Sequence, residues 1–111
     1  MIKAIGLLSR KAGTTKEEFM RHWTEVHAVM VDTVPQVRRY HLNFIVDEPG
    51  RADVPNWGLK GKIDGIAEVW FDNRESYDAF RASEAGKTWL ADGASFIGRS
   101  QSFLVEEKII I

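Results

Sequence analysis

The chain has 111 residues, 44% of them hydrophobic and 28% charged, with a net charge of −1 and no cysteine. That balance excludes a disordered chain, a basic nucleic-acid footprint and a polybasic membrane patch, and the lack of cysteine excludes disulfides and thiolate chemistry. A single domain spanning 1–111 is expected, and a chain of this length buries roughly two thirds of the surface it exposes when unfolded.

Residues 2–9, Ile-Lys-Ala-Ile-Gly-Leu-Leu-Ser, are short and apolar and read as a largely buried strand. The run Ala4–Leu8 is too short for the core of a secretory signal, and no run approaches membrane-spanning length. A cytoplasmic protein with no membrane partner is therefore expected. After a polar turn, Thr15-x-x-Glu18 forms a capping-box pattern that opens a helix. The helix is predicted to run to about Asp32, and Pro35 stops it because proline lacks the N–H that the ladder needs. At 100° per residue Phe19, Trp23, Val26 and Met30 form a core-facing stripe, with His27 roughly 60° past its mean direction and His22 beyond the opposite edge.

Residues 37–46 alternate as a second strand, with Tyr40, Leu42, Phe44 and Val46 on one face and Arg39, His41, Asn43 and Ile45 on the other. Asp47–Gly65 is longer than the ~12–15 residues usual for a loop. Trp57 sits within it, and a tryptophan there implies that the loop covers something, in the manner of a lid. Ile66–Phe71 reads as a third strand and Asp72-x-x-Glu75 as a second capping box. The next helix buries Tyr77 and Phe80, a break falls near Gly86, and a shorter helix carries Trp89 and ends before Gly93. Residues 101–107 form a fourth strand, followed by the tail Ile109–Ile111.

The order β-α-β-β-α-β is the ferredoxin-like α+β arrangement with a four-stranded antiparallel sheet. Its two helices cover one face of the sheet. In the third strand Ile66 and Trp70 point one way while Ala67, Val69 and Phe71 point the other, so both faces are apolar and both need cover. A second copy packed on the helix-free face, a homodimer, meets that need.

His27 titrates near neutrality and sits beside an apolar stripe, where partial desolvation favours the neutral form. It reads either as a general base or as a core-edge histidine bonded to a carbonyl. Tyr40 reads either as a hydrogen-bond donor to a substrate oxygen or as a core tyrosine. Glu68, flanked by Ala67 and Val69, either faces a substrate or pairs with an arginine such as Arg39. Asp64 beside Gly65 reads as a turn residue. Trp23, Trp57, Trp70 and Trp89 are candidates to line a pocket for a flat organic molecule, with core packing the alternative for each. His22 and His27 are about 140° apart on an α-helix and cannot share a metal as an i, i+4 pair does. No phosphate-binding glycine pattern occurs, and neither a metal nor a cofactor is expected.

Phe19-x-x-x-Trp23-x-x-x-His27, Pro35-x-x-x-x-Tyr40 and Ala67-Glu68-Val69-Trp70-Phe71 together resemble the EthD family of the dimeric α+β barrel superfamily. Val54-Pro55, Lys62-Ile63-Asp64-Gly65-Ile66 and Phe96-Ile97-Gly98 are similar to its methylmuconolactone methylisomerase branch, although around Trp23 the helix follows the broader family. The resemblance implies a dimer with facing sheets and a pocket between sheet and helices in each subunit. It also implies that the histidine of the first helix and the tyrosine of the second strand, here His27 and Tyr40, are the functional pair. The expected function is a cofactor-free isomerase or cyclase that moves a proton next to the carbonyl of a lactone or of a hydroxy-aromatic or polyketide-like acid. A non-catalytic ligand-binding protein and a cofactor-independent monooxygenase are the alternatives on the same fold.

Overall fold

The computed structural model describes residues 1–111. Strands β1 (Ile2–Arg10), β2 (Arg39–Phe44), β3 (Gly65–Phe71) and β4 (Ile97–Glu106) form one antiparallel sheet in the order β2-β3-β1-β4. Helix α1 (Lys16–His22) follows β1, and α2 (Arg74–Ala82) and α3 (Glu84–Phe96) lie between β3 and β4. This is the ferredoxin-like α+β fold expected from the sequence. No helix is long and apolar enough to cross a membrane.

Strand alternation decides what each face carries. Ala4 stands opposite Val69 and Leu104, and Val69 opposite Tyr40; these residues belong to the helix side, where Ala4, Val69 and Tyr40 pack on buried helix residues. Lys3, Ile5 and Leu7 alternate to the other face with Trp70, Glu68, Ile66 and Phe103. Two clusters fill the space under the helices, Leu8–Phe19–Trp23–Phe96 and Val34–Phe71–Phe80–Trp89. Burying each of these large side chains stabilises the fold by roughly 1.5–3 kcal/mol.

Thr15 caps the first helix as its pattern predicts. Its hydroxyl accepts from the Glu18 N–H at 3.1 Å, and the Glu18 carboxylate accepts from the Thr15 N–H at 3.0 Å. The helix then departs from the expected α geometry. It widens into a π turn over Trp23–His27, where the Ala28 N–H reaches the Trp23 carbonyl, and tightens into a 3-10 segment, Ala28–Thr33. A turn closed i→i+5 holds one more residue than an α turn, so the apolar stripe loses phase there. Phe19 and Trp23 are buried, but Val26 rotates out to 45% exposure, and the His27 side chain rotates in to 12%.

Other boundaries move for local reasons. Asn73 rather than Asp72 caps α2, accepting from the Ser76 N–H at 2.8 Å, because Asp72 is held by Arg38 at 3.0 Å. The break between α2 and α3 falls at Ser83 rather than Gly86; the Ser83 hydroxyl accepts from the Gly86 N–H and so starts α3. Gly86 serves a close helix approach instead, since a Cβ there would strike the Phe80 carbonyl. Helix α3 continues through Gly93, β4 starts directly after it at Ile97, and β2 is confined to Arg39–Phe44, which leaves Val46 95% exposed.

Candidate active site

A cavity of about 560 Å³ opens between the helix side of the sheet and helices α2 and α3. Its walls are mostly apolar and aromatic, with His27, Tyr40, Ser102, Arg74 and Arg81 as polar points. That size and lining suit a small organic ligand held by a few directed groups.

Helix α3 fixes His27 from three directions. The Asp92 carboxylate accepts from Nδ1 at 2.8 Å, the Trp89 ring stacks on the imidazole at 5.1 Å and 14°, and the Trp89 indole N–H donates to the His27 carbonyl at 2.8 Å. With the Nδ1 proton committed to a carboxylate, the lone pair sits on Nε2, the tautomer that a general base needs. Burial lowers the His27 pKa from its ordinary 6.5, against the opposing pull of Asp92, so the ring is neutral at pH 7. Burial by itself raises the Asp92 carboxyl, but its hydrogen bonds to His27 and His22 outweigh this and hold it below the usual range.

His22 also reaches Asp92, through Nε2 at 3.2 Å. On a regular α-helix the two histidines would face different ways; the π turn between them lets one carboxylate serve both. No group of three or more His, Cys, Asp or Glu side chains is arranged to hold a metal ion. Asp92 itself escaped the sequence reading. The one signal for it is an acid on the inward face of a helix beside Trp89, Gly93 and Phe96, where a carboxylate requires a partner.

Tyr40 comes from β2 and meets Trp89 edge-on at 5.1 Å. Its oxygen accepts from the Trp23 indole N–H at 2.8 Å, which leaves its own proton free to donate. Burial pushes its pKa up to about 12, so it stays a donor throughout the physiological range.

Trp23 and Trp89 therefore line the cavity with His27 and Tyr40. The other candidates do not. Trp57 is 93% exposed, and no residue of the 47–64 loop lines the cavity, so in the single chain the loop is not a lid over it. Trp70 lies on the helix-free face by strand parity, packed under Lys3 at 4.9 Å and Arg39 at 5.3 Å, with its indole N–H donating to Glu107. Glu68 shares that face and pairs with Lys3 at 2.9 Å, not with Arg39. Asp64 ties the end of β1 to the loop, accepting from the Arg10 N–H at 2.8 Å and from its guanidinium at 3.0 Å.

The fold is a ferredoxin-like sheet with a carboxylate-held histidine and a tyrosine lining one apolar cavity on its helix side. The pattern of the family described as methylmuconolactone methyl-isomerase matches residues 1–109, and the chain belongs to that family. The membership places it among isomerase-type enzymes. It is 30% identical over 109 residues to the 4-carboxymethyl-4-methylbutenolide mutase of Pseudomonas reinekei, covering 98% of this chain and 100% of the relative. Among solved structures, an EthD family protein from Bacillus halodurans superposes with a TM-score of 0.77 at 24% identity, over 97% of this chain and 99% of the other. A dimeric protein of ferredoxin-like fold from Bacteroides fragilis gives 0.65 at 13% identity, over 96% and 95%.

Proposed function

We propose that the chain is a cofactor-free isomerase acting on a small lactone of the butenolide type named for its Pseudomonas reinekei relative. The observation that carries the reading is the Asp92–His27 pair beside a neutral Tyr40 in one apolar cavity. Nε2 of His27 takes a proton from the carboxymethyl carbon beside the lactone ring, and the electron pair forms a C=C bond as the ring C–O bond breaks. The Tyr40 O–H stabilises the carboxylate oxygen that is released. The substrate's other carboxylate then closes onto the diene carbon beside the methyl-bearing one. The imidazolium returns the proton to the carbon next to the released carboxylate, and the base is regenerated with nothing consumed.

The test is turnover of 4-carboxymethyl-4-methylbutenolide in D2O, followed by NMR for rearranged product and for deuterium at the exchanged carbon. His27→Gln is expected to lower kcat by ~10²–10⁴-fold, the range for general acid–base assistance, with an unchanged circular dichroism spectrum. An unchanged rate removes His27 from the mechanism, and an inert wild-type protein removes the substrate.

The same reading includes a homodimer through the helix-free face. Support comes from Ile5, Leu7, Ile66 and Phe103 on a face that no helix covers, and from the Bacteroides fragilis neighbour, which is described as dimeric.

A further inference from the structure

The cavity carries two cations that the proton-transfer chemistry does not use. Arg74, Tyr77 and Arg81 all line it from α2, and their i, i+3, i+7 spacing puts them on one face of that helix. Both guanidinium carbons lie 5.9 Å from the centre of the Tyr77 ring, so the two arginines flank one aromatic side chain. Arg74 spends only its Nε, on Asp78 of its own helix at 3.1 Å, and Arg81 enters no ion pair. Asp78 offsets Arg74 from outside the cavity, and no carboxylate lines the cavity itself. Ring contacts then lead from this end toward the base: Tyr77 to Phe80 at 6.4 Å, Phe80 to Trp89 at 5.8 Å, and Trp89 to His27 at 5.1 Å. The unpaired Arg81 guanidinium and the terminal N–H groups that Arg74 leaves free of Asp78 present donors at one end of an apolar wall, and their planar geometry matches a carboxylate bidentately.

We propose that Arg74 and Arg81 form a carboxylate subsite, so that the enzyme selects small lactones that carry a free acid group in addition to the lactone carbonyl. The inference rests on the reading of the cavity under Proposed function and adds to it the substrate's second anchor.

The experiment compares 4-carboxymethyl-4-methylbutenolide with its methyl ester, by calorimetry and by the NMR signals of the His27 ring. The wild-type protein is expected to bind the acid at least ~10-fold more tightly than the ester, the scale of one charge-assisted hydrogen bond, with a gap that narrows in high salt. In the exposed double variant Arg74→Gln/Arg81→Gln the gap closes, because the acid weakens to the level of the ester while the ester is unaffected. If acid and ester bind the wild type equally and both shift the His27 signals, the subsite is overturned while the reading of the cavity stands. A gap that survives in the double variant overturns it too. If neither compound shifts the His27 signals, the reading of the cavity fails and the subsite falls with it.

Discussion

Asp92 holds the His27 ring by Nδ1 at 2.8 Å, so changing its carboxylate to an amide acts on the imidazole before it acts on the fold. An amide presents an N–H as well as a carbonyl and no longer fixes the tautomer, and it removes the negative charge that favours the imidazolium. Asp92→Asn is therefore expected to lower the plateau kcat by roughly 10–100-fold, inside the span of general acid–base catalysis. The pH profile separates this from a merely structural effect. With His27 as the proposed base, wild-type activity requires its neutral form, whose folded pKa lies below 6.5; the rate is expected to be flat above that pH and to fall on the acid side. Losing Asp92 depresses His27 further, so the acid limb moves to lower pH in the variant. An unmoved limb, or one displaced upward, contradicts the assignment. Stability follows the same sign. The unfolded chain takes up its proton near 6.5, before the folded protein does, so the His27 contribution is complete above 6.5 and is lost as pH falls through the lower folded value. Tyr40, with its pKa at about 12, adds no alkaline limb below that pH. At this scale the sequence was half legible. His27 and Tyr40 stood out through residue chemistry, strand parity and resemblance, but Asp92 lies on another helix, and no spacing rule joins the two.

Among the elements, the π turn at Trp23–His27 and the first residue of β3 set the cavity wall together. The turn swings His27 inward, and Trp23 fills the space above Gly65 so closely that a Cβ there would strike its indole ring. Trp23 is 1% exposed and cannot swing out to make room. Gly65→Ala is expected to cost about 1–3 kcal/mol as an overpacked core does, lowering Tm by roughly 4–8 °C per kcal/mol. It also displaces the indole N–H that binds the Tyr40 oxygen, so kcat falls along with Tm. Gly50→Ala, where a Cβ meets nothing within 4 Å, is the control that should change neither. Thermal melts and initial rates on the three proteins decide it; a Gly65→Ala protein that melts and turns over like wild type means that Trp23 has room the packing denies. The capping box at Thr15, the alternation of β2 and the apolar β3 were legible because each rests on local chemistry. The π turn was not, since an i→i+5 closure leaves no mark in a pattern read at 100° per residue. A regular helix would put Val26 in the core and keep His22 apart from His27; the π turn reverses both.

For the whole molecule, the decisive asymmetry lies between the two faces of the sheet. The helix side is filled by the two buried clusters, whereas Ile5, Leu7, Ile66 and Phe103 on the other side have no element over them. The excess of apolar residues on both faces of the third strand was readable from alternation alone, as was the βαββαβ order. The fate of the long loop was not, because Trp57 signals cover only if something lies beneath it, and in the single chain nothing does. Trp70 and Glu68 were drawn toward the cavity by their chemistry, but parity places them with Lys3, His41 and Glu107 on the helix-free face. Charge pairs of this kind beside an apolar centre fit a self-complementary surface, which fixes register while the apolar residues supply the driving force. Phe103 is the most direct probe. It is already 49% exposed, so Phe103→Glu costs the isolated subunit little, yet in a two-fold interface it sets buried carboxylates against the partner's apolar face. The wild-type chain is expected to sediment as a dimer at micromolar concentration and the variant as a folded monomer, its dissociation constant raised ~100-fold or more. Sedimentation velocity across a dilution series reads both. A wild-type chain that sediments as a monomer throughout, or a variant that dimerises as tightly as wild type, removes this face from the assembly.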